Sequence, residues 1–131
     1  MQLTITAIYA GILAVFALVL SARAGSYRGK AGASILYGEP VDWELAVRVR
    51  AHQNFLEYVP FIVIMMGVIE LNGGSATFLH SAGSLLIVAR IAHVIGLKHD
   101  DMGTKGRFIG AAGTALIMFV SAGYTIWTAI A

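Results

Sequence analysis

Four long apolar segments, separated by polar connections, dominate the pattern of this chain. Each segment is mostly apolar and about 20 residues or longer, enough to cross the hydrocarbon core of a bilayer as an α-helix. We expect helices at about residues 3–22, 43–71, 76–97 and 107–130. The pattern therefore predicts an all-α fold, an integral membrane four-helix up-down bundle that forms one domain over residues 1–131.

The connections differ in charge, and this difference predicts an orientation. Residues 25–40 are glycine-rich and basic, residues 72–75 are uncharged, and residues 98–106 are charged. Because basic connections stay on the cytoplasmic side, we expect the first and third connections in the cytoplasm and both termini outside. The first segment lacks the basic start of a cleaved signal peptide, so a retained helix is expected. Ser75 is expected to cap the third helix.

The composition narrows the class of protein further. Apolar residues make up 58% of the 131 residues and charged residues 12%, which leaves too little polar surface for a soluble domain of this size. The absence of cysteine excludes a disulfide scaffold, a thiol enzyme and a zinc–thiolate site. The basic residues form no cluster typical of nucleic-acid binding, and no histidine pair has the spacing of metal ligands. We therefore expect neither a nucleic-acid partner nor a metal.

Small residues at four-residue spacing mark faces where helix backbones can approach closely. They are Ala7 with Gly11 and Ala10 with Ala14 in the first segment, and Gly106 with Gly110 at the start of the fourth. We expect these residues to pack against neighbouring helices and assign no chemistry to them.

Ionisable residues concentrate in the second and third apolar segments. In the second, Arg50, Asn54 and Glu57 stand at positions i, i+4 and i+7, which places them on one helical face. Pro60 follows one turn later and is expected to kink or locally open the helix. In the third segment, Arg90 and its neighbour at i+3, His93, share one stripe.

Two interpretations of these residues remain open. Ionisable groups inside a membrane usually pair with one another or line a polar cavity. A structural ion-pair network would fix the register of the helices, with Glu57 as the partner of Arg50 or Arg90 at similar depth. A cationic pocket open to the cytoplasm would instead bind a zwitterionic, peptide-like ligand, because arginine grips carboxylates and Asn54 and Glu57 hold amide or ammonium groups. Tyr58 adds a hydroxyl nearby.

These motifs resemble those of a known family. Residues 50–60 (RAHQNFLEYVP) are similar to the signature of the MAPEG family, the membrane-associated proteins in eicosanoid and glutathione metabolism. Residues 89–93 (ARIAH) resemble the second motif of that family. The spacing of the motifs, the four segments and the chain length also agree, so the resemblance covers nearly the whole chain. It implies a homotrimer that binds glutathione between neighbouring subunits on the cytoplasmic side.

The resemblance also implies roles for individual residues. Those that match glutathione-binding or supporting positions are Arg50, Asn54, Glu57, Tyr58, Arg90 and His93. An arginine near the start of the fourth helix stabilises the glutathione thiolate in such enzymes, which makes Arg107 the candidate catalytic residue. An arginine at the end of the first helix, matched by Arg23 or Arg28, is expected to reach the peptide from the neighbouring subunit. The competing interpretation of Arg107 is a cationic anchor at the membrane surface.

The implied function is that of a membrane-bound glutathione transferase or peroxidase, with glutathione as co-substrate. A guanidinium favours the thiolate, which then conjugates an apolar electrophile in a detoxification reaction or reduces a lipid hydroperoxide. The lipid bilayer of a bacterial inner membrane is the expected location, with the active site facing the cytoplasm. Leu97 stands where eicosanoid-making members generally have a tyrosine, so no particular eicosanoid reaction is expected.

Two other functions fit part of the pattern. A small multidrug transporter can also have four helices and an intramembrane glutamate, but Arg50 and Arg90 would neutralise a proton-coupled site at Glu57. A non-catalytic glutathione-binding protein would keep the pocket but misplace Arg107. Substrate-dependent proton flux in liposomes identifies the transporter. Substitution of Arg107 by alanine identifies the enzyme, because turnover should be lost while binding survives.

Overall fold

The computed structural model describes residues 2–130, which form four α-helices. They are α1 (Thr4–Ala31), α2 (Trp43–Leu71), α3 (Ala76–Gly96) and α4 (Lys105–Ile130). All four are long and apolar enough to cross a membrane, which confirms the all-α fold predicted from the hydrophobic pattern. Residues 1 and 131, the two ends of the predicted domain, lie outside the described residues.

The helices alternate in direction. The start of α1 lies beside the end of α2, where the Ile5 N–H donates to Glu70. The start of α3 lies beside the end of α4, where the Ser75 N–H donates to the Tyr124 hydroxyl. Around the bundle the order is α1, α2, α4, α3, because α2 packs directly against α4, whereas α1 and α4 share no contact within residues 2–130. Helix α4, which carries Arg107, therefore lies beside the helix that carries the polar motif.

Helix α1 continues past its predicted end at residue 22 and ends at Ala31. The apolar run measures how much chain crosses the hydrocarbon core, whereas the helix itself continues until a residue ends it. That residue is Gly32, whose φ of 66° is left-handed. With 28 residues, α1 is about 42 Å long, so Arg23 and Arg28 lie on a helical extension instead of in a loop. The other helix ends differ from the predicted ones by at most two residues.

Side-chain caps begin α2 and α3. The Asp42 carboxylate accepts from the N–H of Leu45 at 2.9 Å, and the Ser75 hydroxyl accepts from the N–H of Phe78 at 3.3 Å. The second contact confirms the cap predicted at Ser75. Helix α2 continues as one helix through Pro60, so it does not open there. The predicted kink at Pro60 stays a prediction. Proline removes the hydrogen bond that its own N–H would donate and its ring crowds the carbonyl of Leu56, yet the helix continues on both sides.

The start of α1 is capped from α2. Leu3, at the cap position of α1, offers no side-chain acceptor. The Glu70 carboxylate instead accepts from the N–H groups of Ile5 and Thr6, at 2.8 Å each. A carboxylate at this position satisfies free N–H groups and interacts favourably with the helix dipole. Glu70 is thus a structural link between two helices, whereas the sequence alone indicates only a residue near the membrane surface.

Glycines determine how closely α3 and α4 approach each other. A Cβ atom at Gly110 would lie 2.6 Å from the carbonyl oxygen of Ala89, and one at Gly106 would lie 2.7 Å from that of Ala92. The two helices therefore meet backbone to backbone, which confirms the packing face predicted for α4. A Cβ atom at Gly11 would meet nothing within 4 Å, so the small-residue face of α1 is open in the single subunit.

The core lies between the four helices and is mostly aliphatic. The residues that form it are Tyr9, Leu13, Leu20, Phe55, Val59, Ile62, Met66, Ile69, Leu79 and Leu86. One of the largest fully buried side chains is nevertheless charged, that of Arg90. Its surroundings define the candidate site.

Candidate functional site

A chain of hydrogen bonds joins the polar residues of α2 to Arg90 on α3. The Arg50 guanidinium donates to both carboxylate oxygens of Glu57, at 2.7 and 3.1 Å. Glu57 also accepts from the Asn54 amide at 3.5 Å. The amide oxygen of Asn54 in turn accepts from Arg90 at 2.9 Å. Of the two arginines, Arg50 is therefore the partner of Glu57, and Arg90 reaches the network through Asn54.

The Arg50–Glu57 pair lies on the outside of the single subunit. The side chains of Arg50 and Glu57 are 50% and 47% exposed, and the guanidinium and carboxylate meet in the bidentate geometry typical of strong pairs. Hydrocarbon solvates an ion pair poorly, so such a face within a membrane-spanning helix needs water, a polar ligand or another protein surface against it. This face of α2 is therefore available to a ligand or a neighbouring subunit.

Arg90 is held differently, by neutral groups. It is 0% exposed, and its guanidinium lies 3.3 Å from His93 Nδ1, 3.5 Å from Thr114 Oγ1 and 5.6 Å from the centre of the Phe55 ring. Within residues 2–130, no carboxylate forms a salt bridge with Arg90 and its Nε atom has no hydrogen-bond partner. Arg90 offers no surface to a ligand in this arrangement. Instead, it orients Asn54 and so supports the exposed pair.

The sequence patterns do not single out Thr114, although it belongs to this network. Thr114 is 1% exposed, donates to the Gly110 carbonyl at 2.7 Å and contacts Arg90. The spacing of Thr114 from the glycines of α4 could have identified it from the sequence. Gly106, Gly110 and Thr114 follow one another at four-residue spacing, so a polar residue continues the small-residue face of α4.

Arg107 lies in the first turn of α4, and the chain around it fixes its place. The Thr104 hydroxyl accepts from the Arg107 N–H at 3.3 Å and donates to the Gly96 carbonyl. A Cβ atom at Gly96 would collide with the backbone nitrogen of Arg107. The end of α3 and the start of α4 therefore touch, which holds Arg107 near the end of the bundle formed by the first and third connections.

Arg50 and Arg107 line one cleft of about 210 Å³ at this end of the bundle. The other residues that line it are Trp43, Ala46, Val47, Leu97, Lys98 and His99. The rings of Trp43 and His99 stack with their centres 5.4 Å apart, which holds the α3–α4 connection beside the start of α2. Of the described residues, those lining the cleft include three permanent cations and no carboxylate. The cleft is therefore suited to an anion.

Arg23 and Arg28 lie on the extension of α1 and do not line this cleft. Arg28 donates to the carbonyl oxygens of Ala33 and Leu36, at 3.3 and 3.1 Å, and so fastens the α1–α2 connection. Arg23 is exposed, and its carbonyl accepts from Arg48 on α2 at 3.2 Å. Within one subunit, neither side chain joins Arg50 and Arg107 at the cleft.

Tyr58 and His93 lie beside the network. Tyr58 is partly buried and directly follows Glu57 in α2. His93 is 4% exposed and contacts the Arg90 guanidinium. Between residues 2 and 130, no group of three or more histidine and carboxylate side chains lies close enough together to hold a metal ion. The groups of the site that can bind a ligand are thus cations, an amide and one exposed carboxylate.

Comparison with known proteins identifies a family and two relatives. The model of the MAPEG family matches residues 6–127. The inner membrane proteins YecN of Escherichia coli K12 and of Escherichia coli O6:H1 are each 30% identical over 88 residues, which is 67% of this chain and 67% of theirs. No solved structure matches significantly.

The four apolar helices and the inner-membrane relatives together identify a multi-pass membrane protein. The family match covers nearly all of the four helices, including the polar residues of α2 and α3. The chain therefore belongs to the MAPEG family.

Proposed function

We propose that the protein is a membrane-bound glutathione transferase or peroxidase in which Arg107 stabilises the thiolate of bound glutathione. One observation carries the proposal. Arg50 and Arg107, from two different helices, line the same cationic cleft, and Arg50 also belongs to the exposed ion pair with Glu57. Membership of the MAPEG family supports it, whereas the names of the two relatives state no activity.

The groups at the site complement those of glutathione. Glutathione has two carboxylates, one ammonium group, two amides and a thiol. Arg50 supplies a guanidinium for a carboxylate, Glu57 a carboxylate for the ammonium group and Asn54 an amide for the peptide. In this proposal Arg90 and His93 act by holding Asn54 in place, and Tyr58 adds a hydroxyl at the edge of the site.

Activation of the thiol needs a cation that does not itself give up a proton. A free thiol has a pKa of about 8.5, so most of it is protonated at neutral pH, and the thiolate is the nucleophile. The Arg107 guanidinium stays charged and favours the thiolate. In the transferase reaction, the thiolate sulfur bonds to an electrophilic carbon, and the leaving group departs with its electron pair.

The second substrate reaches the site from the bilayer. Phe108 and Ile109, the residues directly after Arg107, are 72% and 55% exposed and apolar. An apolar electrophile or lipid hydroperoxide dissolved in the membrane can approach the thiolate along this surface. In the peroxidase reaction, the thiolate sulfur bonds to the terminal oxygen of the hydroperoxide, the O–O bond breaks, and the alkoxide leaves and takes up a proton to become an alcohol. A second glutathione thiol then displaces water from the resulting sulfenic acid, which forms the disulfide.

The proposed assembly is a homotrimer in the inner membrane, with the cleft facing the cytoplasm and both termini outside. The half-exposed Arg50–Glu57 pair supports a neighbouring subunit against this face. In that arrangement Arg23 or Arg28 reaches glutathione from the neighbour. The same pair argues against a proton-coupled transporter, because a carboxylate that grips a guanidinium is not free to carry protons.

The test compares Arg107→Ala with Lys105→Ala in detergent-purified protein. Lys105 is an exposed cation in the same turn of α4 and does not line the cleft, so it controls for loss of charge. We expect Arg107→Ala to lower conjugation of an apolar aryl chloride by about a hundredfold, as for loss of one oxyanion donor, while glutathione still binds. Equal turnover in both variants would contradict the proposal. Binding without turnover in the unsubstituted protein would identify a non-catalytic glutathione-binding protein.

A further inference from the structure

The cleft contains a cation, Lys98, to which the proposed function gives no role. Lys98 lines the cleft together with Arg50 and Arg107. The chain is held on both sides of it. Gly96 packs against the backbone at the start of α4, and His99 stacks on Trp43 with an angle of 13° between the rings. The backbone at Lys98 is therefore held beside the cleft that its side chain lines.

A comparison of the anionic groups of glutathione with the cations of the cleft indicates a role for Lys98. Activated glutathione presents three anionic groups, which are its two carboxylates and its thiolate. Arg90 is 0% exposed and cannot meet any of them. Arg107 is assigned to the thiolate and Arg50 to one carboxylate. The second carboxylate then needs a further cation, and Lys98 is the remaining cation of the same subunit that lines the cleft.

The Arg50–Glu57 pair decides which carboxylate this is. In glutathione, the ammonium group and the carboxylate of the γ-glutamyl residue are bonded to the same carbon atom. When the ammonium group of the γ-glutamyl residue binds Glu57, the carboxylate of the same residue therefore lies beside Arg50, which contacts Glu57 at 2.7 Å. The glycine carboxylate, at the other end of the tripeptide, is left for Lys98.

We infer that Lys98 binds the glycine carboxylate of glutathione. The inference rests on the proposed function and adds a binding residue to its site. The three cations of the cleft then meet three anionic groups, and Glu57 meets the one ammonium group. Lys98 acts in ligand affinity and takes no part in stabilising the thiolate.

The experiment combines Lys98→Ala with a ligand that lacks the same charge. Glutathione and its glycine ethyl ester are titrated into the unsubstituted protein, Lys98→Ala, Lys98→Arg and Lys105→Ala by calorimetry. We expect Lys98→Ala to bind glutathione about tenfold more weakly, as for loss of one charge-assisted hydrogen bond, and to bind glutathione and the ester equally. The unsubstituted protein, Lys98→Arg and Lys105→Ala should all prefer glutathione over the ester about tenfold.

Two results would overturn the inference and leave the proposed function standing. One is unchanged glutathione affinity in Lys98→Ala. The other is an equal loss for glutathione and the ester in that variant, because the lost contact would then not involve the glycine carboxylate. Failure of the unsubstituted protein to bind either ligand would overturn the proposed function, and this inference with it.

Discussion

The Arg90 side chain places a charge inside the subunit without a carboxylate partner in the described chain. Such a charge is tolerated only when most of its N–H groups find acceptors. The shortest of its contacts is the one to Asn54, at 2.9 Å, and Asn54 also donates to Glu57. Asn54 therefore serves the buried cation on one side and the exposed ion pair on the other.

Substitution of Asn54 by leucine should destabilise the protein. The variant keeps a side chain of similar size but removes the acceptor for Arg90, which should cost about 1–3 kcal/mol in the free energy of unfolding. Gln53→Leu is the matched control, because Gln53 is exposed on the same turn. Thermal unfolding in detergent measures both. Equal midpoints for the two variants would show that Arg90 does not depend on Asn54.

Glu70 has a separate structural role at the opposite end of the bundle. Glu70→Ala leaves the N–H groups of Ile5 and Thr6 without their acceptor, so we expect a loss of about 1 kcal/mol in the free energy of unfolding. Glu39→Ala removes an equal charge from an exposed position in the α1–α2 connection and should change stability little. A stable Glu70→Ala variant would mean that water satisfies these N–H groups equally well.

Glu57 and Glu70 show which side-chain contacts can be predicted from a sequence. The spacing along one helix predicts that Glu57 and Arg50 share a face, since they stand at positions i and i+7, but it leaves Arg90 open as the alternative partner that the structure excludes. The cap formed by Glu70 joins residues more than sixty positions apart, and no local pattern marks it. Thr114 is intermediate, because its small-residue face is visible in the sequence but its partner on α3 is not.

Among the helices, the close pairing of α3 and α4 decides where Arg107 lies. Gly96, Gly106 and Gly110 let the two backbones touch, and the Thr104 cap fixes the first turn of α4. The glycine spacing predicts this contact from sequence. The continuation of α1 to Ala31 could not be predicted in the same way, because a hydropathy pattern marks the membrane crossing and not the end of the helix.

A methyl group at Gly110 should therefore separate α3 from α4. Gly110→Ala brings its Cβ to 2.6 Å from the Ala89 carbonyl oxygen, and we expect a loss of about 1–3 kcal/mol in the free energy of unfolding. Turnover with glutathione should fall as well, because Arg107 moves with α4. The control is Gly123→Ala in the same helix, where a Cβ atom meets nothing within 4 Å. Unchanged turnover in a destabilised Gly110→Ala would show that the site does not depend on this helix contact.

The order of the four helices around the bundle brings the site together. Because α4 packs against α2, Arg107 and Arg50 face one cleft although they are 57 positions apart. The sequence predicts the alternation of the helices, since the connections are short. That α2 packs against α4 depends on how the side chains of all four helices pack together, so it cannot be predicted from the pattern of any one segment.

The orientation in the membrane can be tested directly because the chain contains no cysteine. A single cysteine at Asn72, between α2 and α3, should react with an impermeant maleimide in intact spheroplasts. A single cysteine at Asp100, between α3 and α4, should react only after the membrane is opened, because the positive-inside rule places that connection in the cytoplasm. The reverse pattern would place the cationic cleft on the outside.

The most direct test of the proposed chemistry is the ultraviolet absorbance of glutathione bound to the purified protein. At neutral pH the free thiol is mostly protonated, so a thiolate band that grows and saturates with added glutathione reports a cation at the sulfur. We predict such a band in the unsubstituted protein and its loss in Arg107→Ala, with binding retained. Saturable binding without the band, or no binding at millimolar glutathione, would contradict the assignment of Arg107 as the thiolate-stabilising residue.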